Sequence, residues 1–260
     1  MYDMQTRLRA LALVDEGLSL NTVARRTGIS RAAIRSWQTR PEARPRMSAQ
    51  TEPCFRCRAA PAPPQDPAAY AYLLGLYLGD GCISPQGRRG HNLRIFCADA
   101  WPGLIVQCRA AVRTVRPANG VWTTQRQGCV EVGSYDRHWP CLFPQHGPGR
   151  KHERRIVLEE WQRAVTDACP WEFVRGLVHS DGCRVTNWTE KVVGGVRKRY
   201  EYPRYFFTNR SADIRALYTG ALDRVGVAWK SCHQRRTVQN ISVARRDAVA
   251  LMDAHVGAKG

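Results

Sequence analysis

The chain has 260 residues, with 40 lysines and arginines against 22 aspartates and glutamates, which gives a formal net charge of +18. A hydrophobic content of 43% is typical of a globular protein and excludes a disordered chain. A folded chain this basic usually binds a polyanion; nucleic acid is the commonest candidate and an anionic membrane surface is the alternative. The longest apolar stretch, Tyr70 to Leu78, is too short to span a bilayer, which excludes a transmembrane protein.

The cysteines and the beginning of the chain bear on its cellular compartment. No basic segment followed by a long apolar run opens the sequence, so we expect no secretory signal and a cytoplasmic location. The ten cysteines are then expected in a reducing compartment, mostly as buried small side chains. Arginine greatly outnumbers lysine, which suits phosphate and guanine recognition, although a genomic codon bias produces the same skew.

Residues 1–40 are predicted to form a small domain of three helices. Apolar residues share one face of a first helix that we expect to end at Gly17. A second helix is expected over residues 20–26, and Gly28 permits the turn after it because glycine adopts positive φ. Ser30 is a suitable N-cap for a third helix that reaches Thr39.

This arrangement resembles the helix-turn-helix of transposases, resolvases and many bacterial repressors. Ala24 is small where the last two helices would cross, and apolar residues follow at suitable spacing. The third helix would then enter the DNA major groove, the alternative being an ordinary helical domain with a solvated basic face. The side chains expected to face bases and phosphates are Ser30, Arg31, Arg35 and Gln38.

Residues 41–67 are predicted to be a linker, because seven prolines exclude a helix interior and favour an extended, semi-rigid chain. Within the linker, Cys54 and Cys57 form a CxxC pair. The pair is compatible with half of a zinc site, with a redox site or with no special function. A structural zinc site needs four ligands, and no second CxxC follows.

The larger domain, residues 68–260, contains an internal repeat. One apolar helix is expected to end at Asp80 and a second to end at Asp181, and a glycine follows each acid. If the two helices pair through their small residues, the two acids meet at the same end of the pair. The small residues expected at this contact are Gly75, Gly79, Gly176 and Ser180.

Each half of this domain reads helix, two strands, helix, two strands, helix. In the first half, residues 68–169, we expect strands over 93–97, 121–125 and 129–134 and a helix over 102–115. In the second half, residues 170–260, we expect strands over 184–188, 202–208, 231–236 and 238–243 and a helix over 212–225. The predicted fold class is therefore α+β, a pseudo-symmetric duplicated αββαββα domain preceded by a small all-α helix-turn-helix domain.

The motif helices LLGLYLGDG and VRGLVHSDG, with the strand order after them, resemble the LAGLIDADG homing endonuclease family of the single-chain, two-motif type. The resemblance implies two four-stranded antiparallel sheets that form a saddle over double-stranded DNA, since a two-stranded ribbon fits the major groove. For each polar strand residue taken singly, an exposed surface position without any DNA contact is an equally good interpretation. The strand residues expected to contact DNA are Arg94, Gln125, Arg126, Gln127, Arg184, Asn187, Arg204, Asn209, Arg235, Arg236 and Gln239.

The resemblance also implies that Asp80 and Asp181 are catalytic and bind Mg²⁺ or another divalent cation over the scissile phosphates. Two close carboxylates repel each other unless a cation lies between them. Lys151 and Lys259, near the ends of two similar tails, match lysines that the family places near the metal to activate water or offset charge. The alternative for each acid is an ordinary aspartate at a helix end before glycine.

The predicted function is sequence-specific DNA binding with metal-dependent phosphodiester hydrolysis, as in a site-specific endonuclease. The alternative is a non-cleaving transcription regulator built from the same two domains. The presence of both motif acids favours the nuclease, and the helix-turn-helix favours the regulator. RNA splicing as a maturase is a third use of the same surface. We expect a monomer, because both halves lie in one chain, while the helix-turn-helix leaves dimerisation on DNA open.

Overall fold

A computed structural model describes residues 3–39, 64–86, 90–234, 238–257 and 259, with residues 233, 234, 238 and 239 described by their backbone alone. The chain divides into two compact units, Met1–Thr51 and Glu52–Gly260. Within the described ranges, no helix is both long enough and apolar enough to cross a membrane.

The first unit contains three short helices, α1 (Met4–Asp15), α2 (Leu20–Thr27) and α3 (Arg31–Thr39). Gly28, at φ +70°, ends α2, as its freedom to adopt a left-handed conformation predicts. The helices enclose a small apolar core. Its buried residues are Ala10, Val23, Ile29, Ile34 and Trp37. The predicted helix-turn-helix region is confirmed, with α1 ending two residues before the predicted Gly17.

The first half of the second unit begins with the motif helix α4 (Pro67–Asp80), whose first turn is capped by the Asp66 carboxylate. A four-stranded antiparallel sheet follows, in the spatial order β1-β2-β4-β3. Its elements in chain order are β1 (Gly81–Gln86), β2 (Gly90–Ala98), α5 (Pro102–Val115), β3 (Val121–Arg126), β4 (Cys129–Asp136), the short α6 (Trp139–Leu142) and α7 (Glu160–Ala168).

The second half repeats this plan and forms a second antiparallel sheet, in the order β5-β6-β8-β7. Its elements are α8 (Pro170–Asp181), β5 (Gly182–Val193), β6 (Val196–Thr208), α9 (Ala212–Arg224), β7 (Lys230–Gln234), β8 (Val238–Val243) and α10 (Arg246–His255). One continuous apolar core runs through both halves, because α4 and α8 pack against each other at its centre. The predicted duplicated αββαββα architecture is confirmed.

Two parts of the strand prediction are wrong. β1 was not predicted as a strand, because its polar sequence GCISPQ includes Pro85; proline is tolerated because β1 is an edge strand. β5 and β6 are also much longer than predicted. The residues added at the hairpin end, 189–193 and 196–201, are mostly charged or exposed, and they form strands because each segment pairs with the other.

Candidate nucleic-acid interface

Helices α4 and α8 cross backbone to backbone at Gly75 and Gly176. A Cβ atom added at Gly176 would lie 2.2 Å from the carbonyl oxygen of Tyr72. One added at Gly75 would lie 2.6 Å from the backbone nitrogen of Leu177. Carbon atoms in van der Waals contact lie about 3.5–4.0 Å apart, so this crossing requires glycine on both helices.

The crossing brings the two acidic residues to the same end of the helix pair. Asp80 and Asp181 are the last residues of α4 and α8. A Cβ atom at Gly79 would lie 2.9 Å from Asp181 Oδ2, so the carboxylate of one helix overhangs the backbone of the other. Ser180 Oγ lies within hydrogen-bonding distance of a carbonyl oxygen on each helix, 3.1 Å from that of Gly176 and 3.4 Å from that of Gly75.

Burial makes both carboxyl groups harder to ionise. The pKa of Asp80 is raised to about 6, first by burial and second by the charge of Asp181, while Lys259 and Lys151 act in the opposite direction. Burial also raises the pKa of Asp181, against the lowering effect of a hydrogen bond from Asn209. Two carboxylates that share a partly buried place in this way are stabilised by a nearby cation.

Two lysines bind the C-terminal ends of the motif helices. Lys151 Nζ donates to the carbonyl oxygens of residues 77–79, at 2.9 Å for each of the last two. Lys259 Nζ donates to the carbonyl oxygen of Ser180 at 2.9 Å. The last carbonyls of a helix lack intrahelical partners and carry the negative end of its dipole, so each ammonium group stabilises one helix end. Burial lowers the pKa of Lys151 to about 8 and also lowers that of Lys259, and the two acids oppose both shifts.

Asn209 lies at this acidic centre, and the prediction that placed it on the sheet surface is wrong. It directly follows β6, and its Nδ2 donates to Asp181 Oδ2 at 2.6 Å. Its Oδ1 accepts from the backbone nitrogen of Ser211 at 2.7 Å, which orients the amide so that its NH₂ group faces the carboxylate. In the first half, Asp99 directly follows β2, as Asn209 directly follows β6 in the second. Alignment of the two repeats is therefore the sequence signal that indicates the position of Asn209.

Each sheet has a helix-side face and an outer face. Buried residues such as Leu93 and Tyr205 define the helix-side face, and the alternate residues lie on the outer face. Arg126 forms two hydrogen bonds with Glu131, at 2.8 and 3.0 Å. The Arg204 guanidinium lies over the rings of Tyr202 and Phe206. Four of the predicted DNA contacts lie on the outer faces: Arg94, Arg126, Asn187 and Arg204.

The prediction that Arg184 lies on an outer face is wrong, because Arg184 lies on the helix-side face. Its strand partner is the buried Tyr205. Its guanidinium donates to both carboxylate oxygens of Asp253 in α10, at 2.7 and 2.9 Å, and Tyr205 Oη donates to the same carboxylate at 2.7 Å. The prediction failed because Arg184 forms an ion pair that attaches α10 to the sheet.

Gln125 also lies on the helix-side face. It is opposite Val130 of β4, and Val130 is opposite the buried Cys97 of β2 on its other side. Gln125 Nε2 lies 3.0 Å from the carbonyl oxygen of Arg126, within its own hairpin. Gln125 therefore contributes to closing the hairpin and does not line the outer face. Gln127 lies in the exposed turn of the same hairpin.

In the first unit, three of the four predicted DNA-contacting residues are exposed on α3. They are Arg31, Arg35 and Gln38. Arg31 Nη1 donates to Asn21 Oδ1 of α2 at 3.0 Å, which links the two helices of the turn. Ser30 Oγ accepts from the backbone nitrogen of Ala33 at 3.3 Å and so serves as the predicted N-cap.

Several predicted residues lie outside the described ranges. They are Cys54, Cys57, Arg235 and Arg236, and of Gln239 only the backbone, in β8, is described. The zinc site at the CxxC pair therefore stays a prediction. Within the described ranges, no cluster of three or more histidine, cysteine, aspartate or glutamate side chains is placed to hold a metal ion.

A family model described as a homeodomain-like domain matches residues 1–45. No curated protein matches the chain.

Several solved structures are similar to this chain in fold. I-DmoI in complex with DNA and Mn has 14% identity and a TM-score of 0.48, over 74% of this chain and 98% of that one. Mesophilic variants of the homing endonuclease I-DmoI give 14% identity and a TM-score of 0.47, over 74% and 97%. The N-terminal LAGLIDADG domain of DUF199/WhiA has 10% sequence identity and a TM-score of 0.45, over 75% of this chain and 86% of that one. At these identities and TM-scores, the likeness transfers no function to this chain.

Proposed function

We propose that this protein binds double-stranded DNA across the outer faces of its two sheets and hydrolyses a phosphodiester bond in each strand with the help of a divalent cation. The observation that carries the proposal is the position of Asp80 and Asp181. They are partly buried, they end two helices that cross at glycine, and each directly precedes the first strand of a sheet. The acidic pair therefore lies where the first strand of each sheet begins.

The charge distribution supports the choice of a nucleic acid. The net charge of +18 favours a polyanion, and arginine and asparagine side chains on the outer faces can contact phosphates and base edges. Arg204, held over two aromatic rings, offers a planar donor set of the kind that recognises phosphate or guanine. The third helix of the first unit, with Arg31 and Arg35 exposed, is a second DNA contact.

The acidic centre fits a hard divalent cation such as Mg²⁺. Its donors are carboxylate oxygens, and the pKa of each carboxyl is raised by burial, so a positive ion would relieve an unfavourable charge. Mg²⁺ binds through one or two carboxylates together with water and substrate phosphate, and it therefore needs no larger protein ligand set. Asp80 and Asp181 would hold it; when bound, it supplies charge that stabilises the attacking and leaving oxygens.

The chain's own residues have separate tasks in this proposal. Asn209 holds one oxygen of Asp181 and leaves the other for the reaction centre. Lys151 and Lys259 keep two positive charges at the helix ends, where they offset the negative charge that develops at phosphorus. Water attacks phosphorus and loses a proton to solvent while the bond to the leaving sugar oxygen breaks, and that oxygen takes up a proton from solvent.

A second candidate function is a DNA-binding regulator that does not cut. Lys151 and Lys259 favour it, since both donate to helix-end carbonyls and so have a structural task that needs no catalysis. The homeodomain-like match over residues 1–45 also suits a regulator.

Incubation with Mg²⁺ and a plasmid library that carries the protein's own genomic neighbourhood separates the two functions. We expect linear plasmid from the wild type and none from the Asp80→Asn/Asp181→Asn double variant, which should still bind. Asp247→Asn, which removes a carboxylate at an exposed site on α10, is the matched control and should cut like the wild type. A tight footprint with no cleavage in Mg²⁺ or Mn²⁺ would establish the regulator and reject the nuclease.

A further inference from the structure

The hairpin of β5 and β6 extends well beyond its sheet. The two strands pair from Gly182 opposite Phe207 to Val193 opposite Val196. β8 pairs with β6 only along residues 205–208, so in the described part of the chain residues 185–193 and 196–204 have no other strand beside them. We call these residues the free ribbon. Its turn is Gly194-Gly195, with φ of +62° and +79°, as a tight two-residue hairpin turn requires.

In the described part of the first half, no hairpin corresponds to the free ribbon. β1 contains 6 residues and β5 contains 12. β4 pairs with β2 along residues 91–98, so nearly the whole of β2 lies inside the sheet. At about 3.3 Å per residue, β5 reaches roughly 40 Å from the acidic centre and β1 roughly 20 Å.

The two faces of the free ribbon differ in charge. On the helix-side face Glu190 and Glu201 lie beside arginines: Arg199 contacts Glu201 at 2.8 Å, and Arg197 lies 3.9 Å from Glu190. The outer face contains no carboxylate. Its polar and aromatic residues are Asn187, Thr189, Lys191, Lys198, Tyr200, Tyr202 and Arg204.

Lys191 and Lys198 are directly opposite each other on this outer face, and both are exposed. Like charges at opposed positions of an antiparallel pair destabilise it. In the described part of the chain, the two carboxylates of the ribbon face the other side and pair with arginines. The lysine pair is therefore a place where an external anion would relieve repulsion. The outer face of the ribbon is continuous, through Asn187 and Arg204, with the outer face of the second sheet.

We infer that the free ribbon is a further DNA contact, which extends the bound site on the side of the second half only. Lys191 and Lys198 contact phosphates, with Tyr200 and Tyr202 between them and the sheet. The difference of about 20 Å between the two hairpins corresponds to roughly six base pairs at 3.4 Å each, so the bound site is asymmetric. This inference rests on the proposed DNA binding and does not require cleavage.

Hydroxyl-radical footprinting of the full chain tests the inference, on a duplex selected from a random-sequence DNA pool in Ca²⁺. We expect Lys191→Ala/Lys198→Ala to shorten the footprint at one end by several base pairs. The same variant should lower affinity roughly ten- to thirtyfold at 0.15 M salt, and should lower the slope of log K against log salt by about 2. Arg197→Ala/Arg199→Ala is the matched control: it removes the same charge from the helix-side face and should leave both ends of the footprint unchanged.

Three other results would overturn the inference. A bound duplex whose footprint is unchanged in the lysine variant rejects the ribbon contact and leaves the proposed DNA binding intact. Equal losses in the lysine and arginine variants show a general charge effect. If the lysine variant loses binding to vesicles of anionic lipid but keeps the wild-type DNA footprint, the ribbon is a membrane contact. If selection yields no bound duplex, the proposed function itself fails. Circular dichroism spectra of both variants establish that they are folded.

Discussion

The two halves of the second unit have the same fold but differ beside their acids. Both sheets have the same antiparallel order, and both motif helices end in aspartate. Beside Asp181, however, Asn209 donates a hydrogen bond, whereas Asp99 takes the corresponding place in the first half and lies within 3.4 Å of Gln125. Lys151 donates to three carbonyls of α4, and Lys259 to one of α8.

This comparison separates what the fold requires from what it leaves free. The helix crossing requires small residues on both helices, because the backbones touch, so the two halves must match there. The polar groups around each acid are under no such steric requirement. They make the two half-sites chemically unequal within a nearly symmetric backbone.

The largest expected effect is at the shared crossing. Gly176→Ala places a Cβ atom 2.2 Å from the Tyr72 carbonyl oxygen, which cannot move without displacing α4. We expect the free energy of unfolding to fall by about 3 kcal/mol, as measured by urea denaturation. Gly220→Ala in α9 is the control, since beyond its chain neighbours and the backbone of its own helix no described atom lies within 4 Å of the added Cβ; it should be neutral or stabilising by up to about 1 kcal/mol. If both substitutions are equally mild, the two helices do not touch as described.

The next effect compares the two lysines. Lys151→Met retains an apolar stem but removes the lysine donor from three helix-end carbonyls, of which Tyr77 still accepts from the Gly81 backbone nitrogen. Lys259→Met removes the lysine donor from one carbonyl. We expect a loss of about 2–3 kcal/mol for Lys151→Met and about 1 kcal/mol for Lys259→Met, measured in the same urea titrations. Equal losses would mean that the two halves are more alike at their helix ends than the hydrogen bonds indicate.

Much of the fold was predictable because it follows from local and repeated features. The glycines and acids recur at the same spacing in both motif helices, and the apolar pattern between them locates α5 and α9. β1 could not be predicted from its own residues, because a polar sequence with Pro85 becomes a strand only through pairing with β2.

The strand surfaces were less predictable, because successive residues of a strand point to opposite faces of the sheet. The positions of Arg184 and Asn187 differ by three and those of Gln125 and Arg126 by one, both odd numbers, so the members of each pair lie on opposite faces. Sequence alone therefore excluded one residue of each pair from the DNA-facing surface. Which one is excluded depends on where the helices pack, and that required the structure.

The last expected effect is on activity, not on stability, and it tests whether the two half-sites are unequal in chemistry as well as in structure. Asn209→Ala removes the hydrogen bond that orients Asp181, and loss of such a supporting contact typically costs about 10- to 100-fold in activity. If the proposed hydrolysis is correct, one DNA strand should then be cut more slowly, and nicked circular plasmid should accumulate before the linear form. Asp99→Ala, at the corresponding place in the first half, should produce no such intermediate, because Asp99 is exposed and its side-chain contact is with Gln125. Equal slowing of both strands by Asn209→Ala would show that the two acids act as one centre, and the asymmetry would then be confined to the structure around them.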